Sequence, residues 1–214
     1  MNNQKKIILF STLLSLIIIF FAAKFYYQSK HAQNMNNLVE DQKEVFVRPH
    51  SPTMGPDSAK VTLVEFLDPE CESCRAFYPY VKKIMADFPN QIKLVVRYKA
   101  YHGNSKYVIS ILEAARKQSK FWEVLEVAFY YQPEWGDHHN PQVDVLWKYL
   151  PESGADIEKL KVDMQDPAIA NIIQQDELDS VKLNIRGTPS FFINGIPLRE
   201  FDPEVLKQQI QEQL

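Results

Sequence analysis

An apolar run that ends in a turn and a Cys-x-x-Cys pair constrains this chain more than any other feature. Residues 61–67 read Val-Thr-Leu-Val-Glu-Phe-Leu, interrupted once by a charge, Glu65. The turn Asp68-Pro69-Glu70 follows, then Cys71-Glu72-Ser73-Cys74. From there Phe77, Val81, Ile84, Met85 and Phe88 recur at spacings of three and four. A short apolar run bounded by a turn fits a buried strand, and the second pattern fits one face of a helix. The cysteines therefore sit where a strand hands over to a helix N-terminus. Unpaired N–H groups and the positive end of the helix dipole favour an anion there, so Cys71 should ionise more easily than free cysteine. Cys71, at the helix start, is expected to be the exposed nucleophile. Cys74, one turn in, is expected to be the buried thiol that resolves a mixed disulfide.

Other uses of two cysteines fit less well. A bridge between Cys71 and Cys74 closes too small a loop to restrict the unfolded chain much. A structural zinc site wants four ligands, and these are the only cysteines in 214 residues. Binding of a soft metal by two thiolates stays open as an alternative. His138-His139 is read as loop rather than as a metal pair, because adjacent side chains diverge and no third ligand is near. No metal site is assigned.

Four features in order resemble the DsbA-like branch of the thioredoxin superfamily, the thiol:disulfide oxidoreductases. Glu65 stands six residues before Cys71, and Pro79 stands five after Cys74. Arg186-Gly187-Thr188-Pro189-Ser190-Phe191-Phe192-Ile193-Asn194-Gly195 resembles that family's cis-proline loop and the strand after it. The resemblance runs from about Arg48 to the C-terminus. It implies an α/β thioredoxin fold with a helical insertion at about 104–183, and no cofactor beyond the Cys71–Cys74 dithiol/disulfide itself.

The resemblance also implies roles. Glu65 becomes a buried carboxyl with a raised pKa that relays a proton to or from Cys74; the competing reading is an exposed edge residue. Thr188-Pro189 becomes a cis peptide whose Thr188 backbone pairs with an extended client chain, with Gly187 allowing close approach. His102 stands near a family histidine and reads equally well as a solvated loop residue. One departure bears on redox poise. Glu70 and Glu72 flank Cys71 where strong oxidases often carry a histidine between the cysteines, and like charges disfavour ionisation. The Glu72-Ser73 dipeptide is therefore expected to tune the couple: a Cys71 pKa below free cysteine but well above about 3.5, and a potential more reducing than about −120 mV.

Composition enters at the ends of the argument. A net charge of −3 gives no sign of a nucleic-acid partner. Lys5-Lys6 precede an uncharged apolar run, Ile7–Ala23, which Lys24 and Phe25-Tyr26-Tyr27 can extend. Residues 1–27 are read as an uncleaved signal-anchor or transmembrane helix rather than a cleaved signal peptide, for want of a small-x-small site. Residues 28–47 form a polar tether, and residues 48–214 a domain on the extracytoplasmic (periplasmic or extracellular) side. The expected partners are exported cysteine-containing proteins and, if the chain works as an oxidase, a DsbB-like membrane redox protein. A reductase, an isomerase or a client-binding module are the alternatives.

Along the rest of the chain, Val45–Val47 suggests a short first strand and residues 48–56 an irregular edge. Residues 92–98 read as a second buried strand, parallel to the first. Asn140-Pro141, Asp166-Pro167 and Asp202-Pro203 each propose a helix start, an N-cap followed by proline. Residues 190–193 form a strand that turns at Asn194-Gly195 into residues 196–198. A final helix follows from Pro203.

Overall fold

The computed structural model describes residues 20–24, 26, 30 and 43–214, apart from 138. Most of the expected membrane anchor and most of the expected tether lie outside these residues, as does His138; residues 20–24, 26 and 30 are helical. No helix among the described residues is long and apolar enough to cross a membrane.

Lys43–Leu214 forms one compact unit. It opens with α1 (Lys43–Phe46), a short helix where the sequence suggested a strand. The Val45 carbonyl accepts from Arg97 and the Phe46 ring lies 5.0 Å from Phe192, so the segment crosses a face of the sheet rather than extending its edge. The sheet contains β1 (Thr53–Met54), β2 (Val61–Leu67), β3 (Ile92–Tyr98), β4 (Ser190–Ile193) and β5 (Ile196–Pro197), in the order β1-β3-β2-β4-β5. β1 is a two-residue strand within the stretch expected to be irregular. Gly55 follows it with φ +95°, and a Cβ there would lie 2.2 Å from the Ile92 carbonyl oxygen. Only glycine fits that turn.

The β2–β3 pair is parallel, with Glu65 beside Val96 and Phe66 beside Arg97. α2 (Glu72–Asp87) connects the two, as a parallel pair demands. β4 runs antiparallel on the other side of β2, which makes β2 central. The turn to β5 places Asn194 and Gly195 at φ 50° and 82°, the conformation that Asn-Gly hairpins favour. α8 (Pro203–Gln211) closes the chain, with Asp202 accepting from the Glu204 and Val205 N–H groups.

Between β3 and β4 lies the helical insertion: α3 (Ser105–Arg116), α4 (Phe121–Tyr130), α5 (Gln132–Trp135), two 3₁₀ turns (Val143–Lys148 and Leu150–Ser153), α6 (Ile157–Asp163) and α7 (Pro167–Lys182). Asp166 caps α7 as expected. Asn140-Pro141 starts no helix. The Gln142 N–H donates to the Trp135 carbonyl at 2.8 Å, which holds the chain back against α5 where the helix would have begun.

Side chains alternate across a strand, so the two faces of β2–β3 differ. Leu63, Glu65 and Leu67 share one with Leu94, Val96 and Tyr98; Val64 and Phe66 share the other with Val95 and Arg97. On the second face Arg97 is fully buried and paired. Its Nε and Nη2 donate to Asp176 at 3.0 and 2.6 Å, and Nη2 also reaches Asp179 at 2.8 Å. Arg48 donates twice to Asp179, at 2.8 and 3.0 Å, and His50 Nε2 lies 2.7 Å from Asp176. The Tyr98 N–H takes the remaining Asp176 oxygen at 2.8 Å. This cluster joins the N-terminal segment, β3 and α7.

Candidate active site

Cys71 is the N-cap of α2, in extended conformation at φ −77° and ψ 122°, and its side chain makes no capping bond. The β2–α2 turn presents it: its N–H donates to the Asp68 carbonyl at 3.1 Å. Both cysteines are free thiols. Cys71 is 8% exposed and Cys74 0%. The order expected from sequence holds, but Cys71 is more enclosed than an exposed nucleophile. The cause is the 188–189 loop. The Thr188–Pro189 peptide is cis, and Cys71 Sγ donates to the Thr188 carbonyl at 3.3 Å. Gly187 lies in the same loop, where a Cβ would meet nothing of this chain within 4 Å. Beside Pro189 runs a groove of about 350 Å³ whose lining includes Ile185, Phe191, Leu198 and Phe201. Phe201 is exposed and stacks on Phe77 with ring centroids 4.3 Å apart.

The two thiols are driven apart. Cys71 is lowered to about 5, first by a hydrogen bond from the Cys74 thiol. Burial opposes that; the Thr188 side chain and the N–H groups of Cys74 and Ser73 add to it. Cys74 is raised well above the usual thiol value by burial, then by Cys71. Its Sγ accepts from the Asp68 N–H at 3.4 Å, which favours its thiolate without overcoming burial. The Cys71 shift is larger than a helix terminus alone supplies, about one unit, because the second thiol donates as well. Glu72 is exposed, and neither it nor Glu70 ranks among the leading influences on Cys71. Glu70 points elsewhere. Its carboxylate accepts from the Asn104 N–H at 2.7 Å and the Asn104 side chain at 2.9 Å, at the start of α3.

Glu65 is 2% exposed in the central strand, not an edge residue. Burial, then the charge on Cys71, raises its pKa to about 8. Cys74 registers the same neighbour, since Glu65 is among the groups that raise it. Glu65 and the cysteine pair are therefore electrostatically coupled.

Several residues of the site had gone unmarked. Asp68 is buried and satisfied by Ser105 Oγ at 2.6 Å, the N–H groups of Glu70 and Tyr101 at 2.9 and 2.8 Å, and His102 Nδ1 at 2.8 Å. His102 is thus tied to the redox turn rather than loose in a loop. Burial acts to lower its pKa, but the bond to Asp68 and the nearby negative charges raise it overall. Gln132, from α5, donates to the carbonyls of Pro69 and Cys71 at 2.9 and 3.1 Å. The signal for Asp68 was present: an acid directly after a buried strand and before proline has backbone donors around it. Gln132 gave none, because its partners lie about sixty residues away.

Residues 48–212 match a protein-family model described as Thioredoxin. Among characterised proteins, the chain is 28% identical over 173 residues to disulfide bond formation protein D of Bacillus subtilis, covering 76% of this chain and 77% of that one. It is 30% identical over 172 residues to a Na(+)/H(+) antiporter NhaA of Herminiimonas arsenicoxydans, covering 78% of this chain and 27% of that protein. The chain spans about a quarter of the length of the antiporter-named relatives it matches. Solved structures are similar as well. Oxidised BdbD from Bacillus subtilis has a TM-score of 0.68 at 28% identity, with 77% of this chain and 92% of that one covered. A thioredoxin-like oxidoreductase from Silicibacter pomeroyi has 0.67 at 26%, with 80% and 94% covered. The thiol-disulfide exchange protein alpha-DsbA2 of Wolbachia pipientis shares the fold at 20% identity, with a TM-score of 0.72 and 86% and 97% covered.

Proposed function

The chain belongs to the thioredoxin family, and from that premise we propose that it is a thiol:disulfide oxidoreductase acting on exported cysteine-containing proteins. One observation carries the reading: one Cys-x-x-Cys pair holds a thiol that ionises near 5 and a second held well above the usual value. Such a pair can attack, be attacked and then resolve within one molecule.

In the oxidising direction a client thiolate attacks Cys71 Sγ of the Cys71–Cys74 disulfide. The S–S bond breaks, its electron pair leaves on Cys74, and a Cys71–client mixed disulfide forms. Cys74 is too high in pKa to stay ionised and takes a proton, for which Glu65, with a pKa of about 8, is the nearby buried donor. A second client thiolate then attacks the client sulfur and releases Cys71 as thiolate. Two electrons pass from client to enzyme. The reducing direction reverses each step. The client's backbone lies against Thr188, whose carbonyl already meets Cys71 Sγ, with Gly187 leaving room and the groove beside Pro189 taking an apolar side chain.

A Cys71 pKa of about 5 falls between the roughly 7 of thioredoxin and 3.5 of DsbA. A stabilised thiolate stabilises the reduced form, so the potential falls between about −270 and −120 mV. The similarity to disulfide bond formation protein D supports the forming direction; our reading adds an extracytoplasmic domain anchored through Ile7–Ala23 and reoxidised by a DsbB-like membrane protein. The test is client capture. Cys74→Ala should accumulate mixed disulfides with exported proteins and Cys71→Ala should not; equal capture by both would overturn the assignment.

A further inference from the structure

We propose that Gln132, on the helical insertion, is a positioning residue that fixes the redox turn from outside and thereby sets how readily Cys71 ionises. The inference rests on the thiol:disulfide reading above and adds a residue to it. Gln132 is 1% exposed, and its side-chain amide bonds to the turn and to α2. Nε2 donates to the Pro69 and Cys71 carbonyls at 2.9 and 3.1 Å, and Oε1 accepts from Arg75 Nε at 2.9 Å. The Arg75 bond decides the amide's orientation. Flipped, its oxygen would face two carbonyls and its NH₂ would face a guanidinium.

A helix start is ordinarily fixed by its own N-cap side chain, which accepts an N–H of the first turn. Cys71 occupies that position with a sulfur, a weaker acceptor than the usual oxygen, and that sulfur has to move between client and partner. Gln132 reinforces the backbone bonds of the turn by donating to the two carbonyls that flank Glu70. This bears on ionisation because the N–H groups of Ser73 and Cys74 lower the Cys71 thiol only while they are aimed at it. The Asp68 and Glu70 side chains are anchored separately, through Ser105, Tyr101, His102 and Asn104; the Cys71 carbonyl also accepts from the Arg75 N–H at 3.1 Å, so it is the Pro69 carbonyl that relies on Gln132.

The titratable groups on the elements around Cys71 are Glu65 on β2, Cys74, Glu72 and Arg75 on α2, Glu70 in the turn and His102 after β3, of which Glu65, Cys74 and His102 are coupled to it; substituting Gln132 replaces none of them. Freeing Arg75 would bring a positive charge into play and lower the thiol further. A rise therefore reports lost positioning, not altered charge.

The experiment uses the reduced full-length protein with Gln132→Met, which has similar length and no donor, and Gln132→Asn, which keeps the amide but shortens its reach. Cys71 ionisation is followed by thiolate absorbance and by the pH dependence of alkylation, and the couple is equilibrated against glutathione. For Gln132→Met the Cys71 midpoint should rise by about one unit, so that alkylation below pH 5 slows about tenfold and the potential falls by about 30 mV. Gln132→Asn should move both in the same direction by less, and it decides the matter if the methionine variant does not fold. Folded variants with a lowered unfolding temperature but an unmoved midpoint and potential would overturn the proposal, leaving Gln132 a structural residue. The titration needs no client, so its outcome is independent of the capture experiment.

Discussion

The two faces of the β2–β3 pair each bury one charged residue, one position apart in register, and treat it in opposite ways. On one face Arg97 meets Asp176 and Asp179, which in turn bind Arg48, His50 and the Tyr98 N–H. On the other, Glu65 lies beneath the cysteines and finds like charge rather than opposite charge. The result is Asp179 pulled down to about 2 and Glu65 pushed up to about 8. Burial raises both carboxyls. Hydrogen bonds from Arg48, Arg97 and Gln175 outweigh it at Asp179, and no such partner outweighs it at Glu65. A buried charge that is fully partnered serves as a rivet, and one whose partner is withheld becomes a group that titrates near neutrality.

That contrast can be broken at either end. The largest effect should come from Arg97→Met, which leaves two buried aspartates without their main cation. Urea unfolding should show a loss of about 4 kcal/mol, with the Cys71 pKa unmoved because the cluster lies on the opposite face. A loss below about 1 kcal/mol would mean that the cluster is not a buried rivet.

Glu65→Gln should act in the other direction. The folded pKa of about 8 exceeds the ordinary carboxyl value of 4.5, so the folded state holds its proton more tightly than the unfolded chain. That contribution is present in full below about pH 4.5 and is lost as pH rises towards 8. The variant, having nothing to titrate, should gain on the wild type by about 3 kcal/mol at pH 7. It should also slow the exchange step in which Cys74 leaves. Parallel stability–pH curves for the two proteins would place Glu65 in contact with water.

Asp179 gives the mirror image with a smaller amplitude. Its folded pKa of about 2 lies below the ordinary 3.8. It therefore contributes about 2 kcal/mol that is present above pH 4 and disappears as pH falls towards 2. Asp179→Asn should flatten that part of the acid-unfolding curve while lowering stability at neutral pH. The smallest effect belongs to the surface. Lys82 and Glu126 pair at 2.7 Å, but both side chains are about half exposed, so Glu126→Gln should cost no more than about 0.5 kcal/mol.

What the sequence reveals follows the same division. Glu65 was legible because a lone charge in an apolar strand, six residues from a Cys-x-x-Cys pair, has a local context. Arg97 shares its strand with a second cation, Lys93, and was read simply as strand, since its partners in α7 lie about eighty residues on. The strands at 61–67, 92–98 and 190–193, the redox helix, the Asn-Gly hairpin and the Asp-Pro helix starts at 166 and 202 depend on neighbours in sequence and were recoverable; β1 was not. Nor were Val45–Val47 and Asn140-Pro141, because a bond outside the local pattern decides each conformation: to Arg97, fifty-two residues on, in one case, and from Gln142 back to Trp135 in the other. Glu70, beside Cys71, shows the same limit. Glu70 looks like a like-charge neighbour until Asn104 arrives from the insertion to claim its carboxylate.

The central claim is that one face of this sheet drives two neighbouring thiols apart, and titrating them in the reduced protein tests it most directly. The account predicts one thiol ionising near pH 5, identified as Cys71 by its absence in Cys71→Ala, and a second still protonated past pH 9. Two thiols titrating together near 9 would contradict it.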